Sequence, residues 1–219
     1  MRTVLYFVAG AVALAFGVLV FLSLVGILHD WKVPTGSMSP TIKPGDCIYS
    51  ENLSYRFRKP RRGEIVCFKT NGIAGIAADP AEPERIIVWE KRIIGLPGDK
   101  LKMRYGELLV NGKADPALAS LKVSPGRTYL TNDGVLVVVP PDSYFVVGDN
   151  THNSFDSRYW GVTDRSSIIG KPLFVYWSYE SDPFNSGHLS VKEWLQSYVS
   201  IALHFFNRTR WFRFGTVIR

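Results

Sequence analysis

Cysteine is nearly absent: Cys47 and Cys67 are the only two in 219 residues. That count excludes a four-cysteine zinc site and a dense disulfide framework. Each lies in an apolar, strand-like run, so a buried free thiol is the expectation. A cross-strand disulfide stays open if the domain is extracytoplasmic, because spacing alone does not fix the geometry. Internal repeats and low-complexity tracts are missing too. Charge is missing altogether from Thr3 to Leu28. As a helix that run would extend about 39 Å at roughly 1.5 Å per residue, enough to cross a hydrocarbon core of about 30 Å with some tilt. A cleavable leader would have an apolar stretch of only about 7 to 15 residues ending in small residues. Here the run continues into Val25-Gly26-Ile27-Leu28-His29-Asp30-Trp31 without such a step, so a retained anchor is expected over residues 1–30. Trp31 suits the aromatic belt at a membrane surface. Arg2 favours a cytoplasmic amino terminus and the basic residues after Lys32 pull the other way, so charge does not decide the orientation.

The remaining length, in a chain that is 46% hydrophobic, suits one core-bearing domain, over 31–219. The net charge of +7 raises nucleic acid as a partner. Yet Arg56, Arg58, Lys59, Arg61 and Arg62 sit in a turn-like stretch without the motif context of a DNA or RNA reader, so no nucleic-acid partner is expected. A solvated basic loop is the plainer reading, and anionic lipid headgroups are its partner if the loop lies near a membrane.

Beyond Trp31, short β-like runs alternate with Gly, Pro, Asn and Asp, the spacing of an all-β domain. Strands are expected over 46–50, 64–69, 86–94, 100–104, 108–110, 135–139, 144–147 and 173–177, with turns at Pro44-Gly45, Pro97-Gly98 and Asn111-Gly112. Loops are expected over 70–84 and 113–131. Ser190-Val191-Lys192-Glu193 reads as a capping box ahead of Leu195, Tyr198, Ile201, Ala202 and Phe205 at helical spacing. The fold expected is therefore mainly β, with one transmembrane helix and a short C-terminal amphipathic helix that either packs on the domain or lies on a membrane.

Three segments carry chemistry. Thr35-Gly36-Ser37-Met38-Ser39-Pro40-Thr41 is a hydroxyl-rich turn close behind the anchor. In the run from Ile86 to Ile94, period-two alternation sets Trp89, Lys91 and Ile93 on one face and Val88, Glu90, Arg92 and Ile94 on the other. An ammonium among apolar neighbours loses stability relative to the amine, so the Lys91 pKa would fall well below its usual value of about 10.4 and the amine could serve as a base. Lys91 could equally snorkel from a strand edge. Gly148 to Gly161 is densely polar and includes a candidate ion pair between Asp156 and Arg158.

Together these segments resemble the motif boxes of the bacterial type I signal peptidases, serine peptidases that use a Ser-Lys dyad. Ser37-Met38 with Pro40-Thr41 resembles the nucleophile box, Lys91-Arg92 before Gly95-Leu96-Pro97-Gly98-Asp99 the general-base box, and Arg62 to Phe68 the strand box between them. Gly148 to Gly161 is similar to the last box, and a weaker echo runs from Trp211 to Arg219. The resemblance implies an antiparallel β peptidase domain in which neutral Lys91 activates Ser37. The Thr35 hydroxyl and Ser37 N–H would form the oxyanion site, Ser154 would orient the lysine, and Gly148, Asp149, Asn150, Asp156 and Arg158 would support the site. Met38, Ile42, Val66 and Trp89 would line a substrate groove. No metal or organic cofactor is implied. The substrates would be signal peptides of exported preproteins, cut after small residues by a single-pass protein of the cell membrane whose catalytic domain faces outward.

Two positions depart from that pattern. Thr151-His152 stands where Arg-Asp is usual, and eukaryotic and archaeal relatives are thought to use His as the base, so His152 is an alternative to Lys91. Glu90 stands where an apolar residue is usual; alternation points it away from Lys91, so little effect on the dyad is expected. A non-catalytic, membrane-tethered β module is the reading from another class. Self-cleaving repressors share the dyad but carry a DNA-binding domain where this chain has an apolar helix. A specialised processing peptidase remains open.

Overall fold

The computed structural model describes residues 2–73, 76, 86–105, 107–125, 129–131, 134–180 and 191–219. The uncharged run forms one helix, α1 (Arg2–Leu24), long and apolar enough to cross a membrane and exposed along nearly its whole length. It stops short of Leu28 because Gly26 turns the backbone left-handed, at φ +68°. Gly26 N–H donates to Ser23 O (3.0 Å) and Ile27 N–H to Leu22 O (2.9 Å), the paired bonds of a Schellman cap. Glycine takes that conformation without the steric cost of a Cβ.

The chain passes at once into β1 (Leu28–Lys32), a strand absent from the sequence expectation that straddles the boundary placed between residues 30 and 31. β2 (Asp46–Glu51), the short helix α2 (Ser54–Phe57), β3 (Ile65–Lys69) and β4 (Val88–Gly95) follow. Next come β5 (Lys100–Arg104), β6 (Glu107–Val110), β7 (Val137–Val138) and β8 (Ser143–Val147). The short helix α3 (Ser157–Trp160), β9 (Thr163–Asp164), β10 (Ile168–Ser178) and helix α4 (Val191–Arg208) complete the order. All eight expected strands recur, β5 with the ends expected of it and the others with shifted ends. β10 begins before its expected start because Pro172 is absorbed at a register shift between Pro172 and Phe174, where the ladder does without its missing N–H. Residues 74, 75 and 77–84 of the first expected loop, 126–128 of the second and Ser190 of the capping box lie outside the described residues.

Seven strands form one sheet in the order β1-β2-β10-β3-β4-β8-β9, and β6-β5-β7 form a smaller one. Every strand pair is antiparallel. Apolar side chains gather in three clusters, of which two bear on the site. Val33, Met38, Ile42, Ile48, Ile65, Val175 and Ile218 form one, and Val66, Phe68, Ile93, Tyr144, Val146 and Trp160 belong to the other. Cys47 and Cys67 are buried free thiols on β2 and β3, separated by β10, and burial raises the pKa of both. The basic stretch is partly neutralised: Arg58 pairs with Glu64 (2.8 Å), and Arg62 with Asp99 (2.8 Å) and Asp115 (2.7 Å).

Candidate active site

Between β1 and β2 the chain makes an excursion closed at its base by Val33 N–H to Asp46 O (2.8 Å) and Gly45 N–H to Val33 O (2.8 Å). Inside it the turn tightens through Ser39 N–H to Gly36 O (3.1 Å) and Ile42 N–H to Met38 O (2.9 Å). Met38 and Ile42 are buried in the cluster under β2 and β10. Burying such side chains contributes about 1.5 to 3 kcal/mol each. With Met38 turned inward, its neighbour Ser37 is left at the surface side of the turn.

Facing that turn is β4, whose centre lies against β3 with Lys91 opposite Val66 and Glu90 opposite Cys67. Lys91 shares its face with Trp89 and Ile93, as alternation predicts, and only 3% of it is exposed. Its Nζ lies 2.8 Å from Ser37 Oγ and 3.0 Å from the Glu90 carbonyl oxygen, and sits 5.3 Å from the centroid of the Trp89 ring. Burial lowers the Lys91 pKa from 10.5 to about 8, and the negative charge of Glu90 is the largest influence opposing that fall. Glu90 points to the other face of β4, yet that face is covered too and leaves it 8% exposed; burial raises its pKa to about 7. Its expected indifference to Lys91 does not hold. Charges on opposite faces of one strand stay close enough to interact strongly when neither reaches water.

The turn is pinned from β8 onward. Asn150 N–H donates to Ser37 O (3.0 Å) and Asn150 Nδ2 to Gly36 O (3.1 Å). Asp149 accepts two bonds from Arg92, from Nε and Nη2 at 2.7 Å each, and one from the Thr41 hydroxyl. Asp156 and Arg158, fully buried, form a bidentate pair at 2.7 and 2.8 Å, while Asp156 also accepts from Gly148 N–H (3.0 Å). A Cβ on Gly148 would lie 2.7 Å from Ser154 Cβ and still closer to Ser37 O, so only glycine lets β8 end this near the turn.

Other expected residues fall differently. Thr35 Oγ1 stands 3.5 Å from Ser37 Oγ, beside the pair. The Ser154 hydroxyl is buried with no hydrogen-bond partner among the described residues and does not reach Lys91, whose amine is already bonded by Ser37 and the Glu90 carbonyl. Of the four groove residues, Trp89 lines the cleft with Ser37, whereas Met38 and Ile42 are buried in the cluster beneath the turn and Val66 in the cluster with Phe68 and Ile93. His152 is exposed and meets Ser124 Oγ at 3.4 Å, outside the cleft. Reasoning from sequence missed Phe155 and Asn153, which line the cleft; Phe155 meets Trp89 edge to face at 6.4 Å, and the dense aromatic run Phe155-Tyr159-Trp160 was the available signal.

The cleft itself, about 290 Å³, is walled by Thr35, Gly36 and Ser37 on one side and Val88 to Lys91 on the other. A larger cavity of about 510 Å³ beside His29, Trp31 and Arg165 contains no nucleophile next to a base, so size does not select the site. β8 pairs with β4 only at Arg92, Ile93 and Gly95, which leaves the same backbone edge of Val88 to Glu90 open toward the cleft. A serine hydroxyl within hydrogen-bond reach of an amine that burial drives toward neutrality, beside an open strand edge, is the equipment of a serine hydrolase acting on an extended chain. Comparison with known proteins agrees with that class. The family described as Signal peptidase, peptidase S26 matches residues 2–177, and this chain belongs to it. It is 37% identical to a probable signal peptidase I-2 of Synechocystis over 76% of its own length and 69% of the relative's. Signal peptidase I V of Bacillus subtilis is 34% identical over 78% and 96%. A solved signal peptidase I from Enterococcus faecalis V583 is 30% identical and covers 52% of this chain and 97% of its own, with a TM-score of 0.35. The chain is thus a serine endopeptidase of the signal peptidase family.

Proposed function

We propose that this protein is a membrane-anchored endopeptidase that removes signal peptides from exported preproteins, with Ser37 as nucleophile and Lys91 as general base. The observation that carries the reading is the 2.8 Å contact between Ser37 Oγ and a buried Lys91 Nζ at the floor of an open cleft. Relatives named signal peptidase I supply the substrate class.

An extended substrate segment lies along the free edge of Val88 to Glu90, its scissile carbonyl beside Ser37. The neutral amine of Lys91 takes the Ser37 proton as Oγ attacks, and the protonated amine then delivers that proton to the leaving nitrogen. Water, deprotonated by Lys91, hydrolyses the acyl-enzyme. Charge developing on the carbonyl oxygen is met by Ser37 N–H and the Thr35 hydroxyl, and one such donor is typically worth about 3 to 4 kcal/mol. The Glu90 carbonyl holds the amine in the place expected of Ser154. A helix that is apolar all round and bare of protein contact is stable in lipid, not in water, which supports α1 as the anchor, a domain from β1 onward, and a catalytic face outside the membrane. No bound cofactor has a part in these steps.

The test is cleavage of a preprotein bearing an Ala-x-Ala site, in detergent or liposomes, by the full chain and three variants. Ser37→Ala and Lys91→Ala should each lose roughly 10⁴-fold or more in kcat/KM, and His152→Ala should stay active. Activity surviving in Lys91→Ala would remove the lysine base and point to His152.

A further inference from the structure

Phe155 is exposed where its neighbours are not. Ser154 and Asp156, on either side of it in the chain, are buried, Asp156 completely, and the bidentate pair with Arg158 fixes the backbone there. Between them the Phe155 ring turns outward and stays 44% exposed, against the cleft that Ser37 and Lys91 line. It does not stand alone. Trp160 backs it edge to face at 5.3 Å, and Tyr159 lies against it at 5.3 Å. Trp89 carries the same wall toward the chemistry, with its ring 6.4 Å from Phe155, 5.7 Å from Trp160 and 5.3 Å from Lys91 Nζ. Trp160 is itself buried in the apolar cluster with Phe68 and Ile93, so the wall has a fixed foundation. Rings held in this way offer a substrate large apolar area with little side-chain freedom left to lose on binding.

The face on which the wall stands decides which substrate residue meets it. Trp89 shares its face of β4 with Lys91. A segment paired along the free edge of Val88 to Glu90 sends alternate side chains to opposite faces. The Glu90 face is closed, leaving Glu90 8% exposed, so a requirement for a small residue before the cleaved bond belongs on that side. The next residue upstream then takes the open face, toward Trp89 and Phe155. The direction of the substrate follows from α1. Val88 lines both the cleft and the cavity of about 510 Å³ that His29 and Trp31 of β1, the strand next after α1, also line. The Val88 end of the edge is therefore turned toward the anchor, and a chain whose apolar segment lies in the same bilayer runs along Val88 to Glu90 before it reaches Ser37.

Resting on the reading of this chain as an anchored signal peptidase, we infer that Trp89 and Phe155 form an aromatic shelf for the second residue before the cleaved bond, and that the peptidase favours a large apolar or aromatic side chain at that place.

The test compares kcat/KM of the full chain in detergent for two preproteins that differ only in the middle residue of an Ala-x-Ala site, phenylalanine against glycine. The phenylalanine form should be better by roughly tenfold, the low end of what an apolar pocket discriminates. Phenylalanine placed instead just after the bond should bring no such gain. Phe155→Ala should bring the ratio of the two forms close to one, and Phe155→Tyr, which keeps the ring, should retain it. A ratio near one in the unaltered chain overturns the inference and leaves the signal-peptide reading standing. So does an equal gain from phenylalanine after the bond. If Phe155→Ala slows both forms alike and the ratio survives, the ring is structural and the shelf is overturned. Failure of the folded, unaltered chain to cleave either form would instead overturn the reading on which the inference rests.

Discussion

Lys91 and Glu90 make one ionisable unit inside the sheet, and the pH profile should report it. In the proposed mechanism the base is neutral Lys91, so kcat/KM for a preprotein should rise with pH and reach half its plateau near pH 8, the value to which burial brings Lys91. Glu90, when ionised, favours the ammonium and so raises the Lys91 pKa. Glu90→Gln removes that charge, and the rising limb should move to lower pH; an unmoved limb would show that Glu90 does not tune the base. The burial of Lys91 beside Trp89 and Ile93 was legible because alternation alone set it among apolar neighbours. What Glu90 does was not legible. Alternation tells which face a residue takes, but not that both faces of β4 are covered.

At the scale of elements, the excursion between β1 and β2 is shaped from within by Met38 and Ile42 and from without by Asn150. Gly148 is where these supports crowd together, so Gly148→Ala should displace Ser154 and the Ser37 carbonyl. We expect a chain that still folds but has kcat reduced by roughly 100-fold, the scale of loss from about 1 Å of misplacement; unchanged kcat would show that the turn adapts freely. Interior positions of the strands were readable from periodicity. β1 and β9 were not: β1 follows the helix after a cap of three residues, and β9 has two residues, too few to show a period. That Trp89 lines the cleft while Met38, Ile42 and Val66 are buried was not readable for a related reason, since proximity to a motif in sequence does not say which side of the backbone meets the cleft.

Across the whole molecule, Asp46 links parts far apart in the chain. It accepts from Arg213 Nε at 2.9 Å and from Ser178 Oγ at 2.6 Å while fully buried, and Arg213 also donates to Thr41 O at 2.9 Å. Removing one partner of a buried pair costs about 3 to 5 kcal/mol. Asp46→Ala should therefore lower the Tm by roughly 6 to 20 °C, at about 2 to 4 °C per kcal/mol for a domain of this size. Calorimetry in detergent checks it, and a drop of under about 2 °C, less than one kcal/mol on the same scale, would mean that the neighbouring arginines do not depend on that carboxylate. The same clamp has a consequence in time. Ser37 and Lys91 leave the ribosome early, but Asn150 and Arg213, which hold the turn carrying Ser37, come much later. A nascent chain stalled near residue 140 carries both proposed catalytic groups and neither late support. It should fail to react with an acylating serine probe that labels the finished protein, so the order of synthesis itself would keep the peptidase silent until its chain is almost complete.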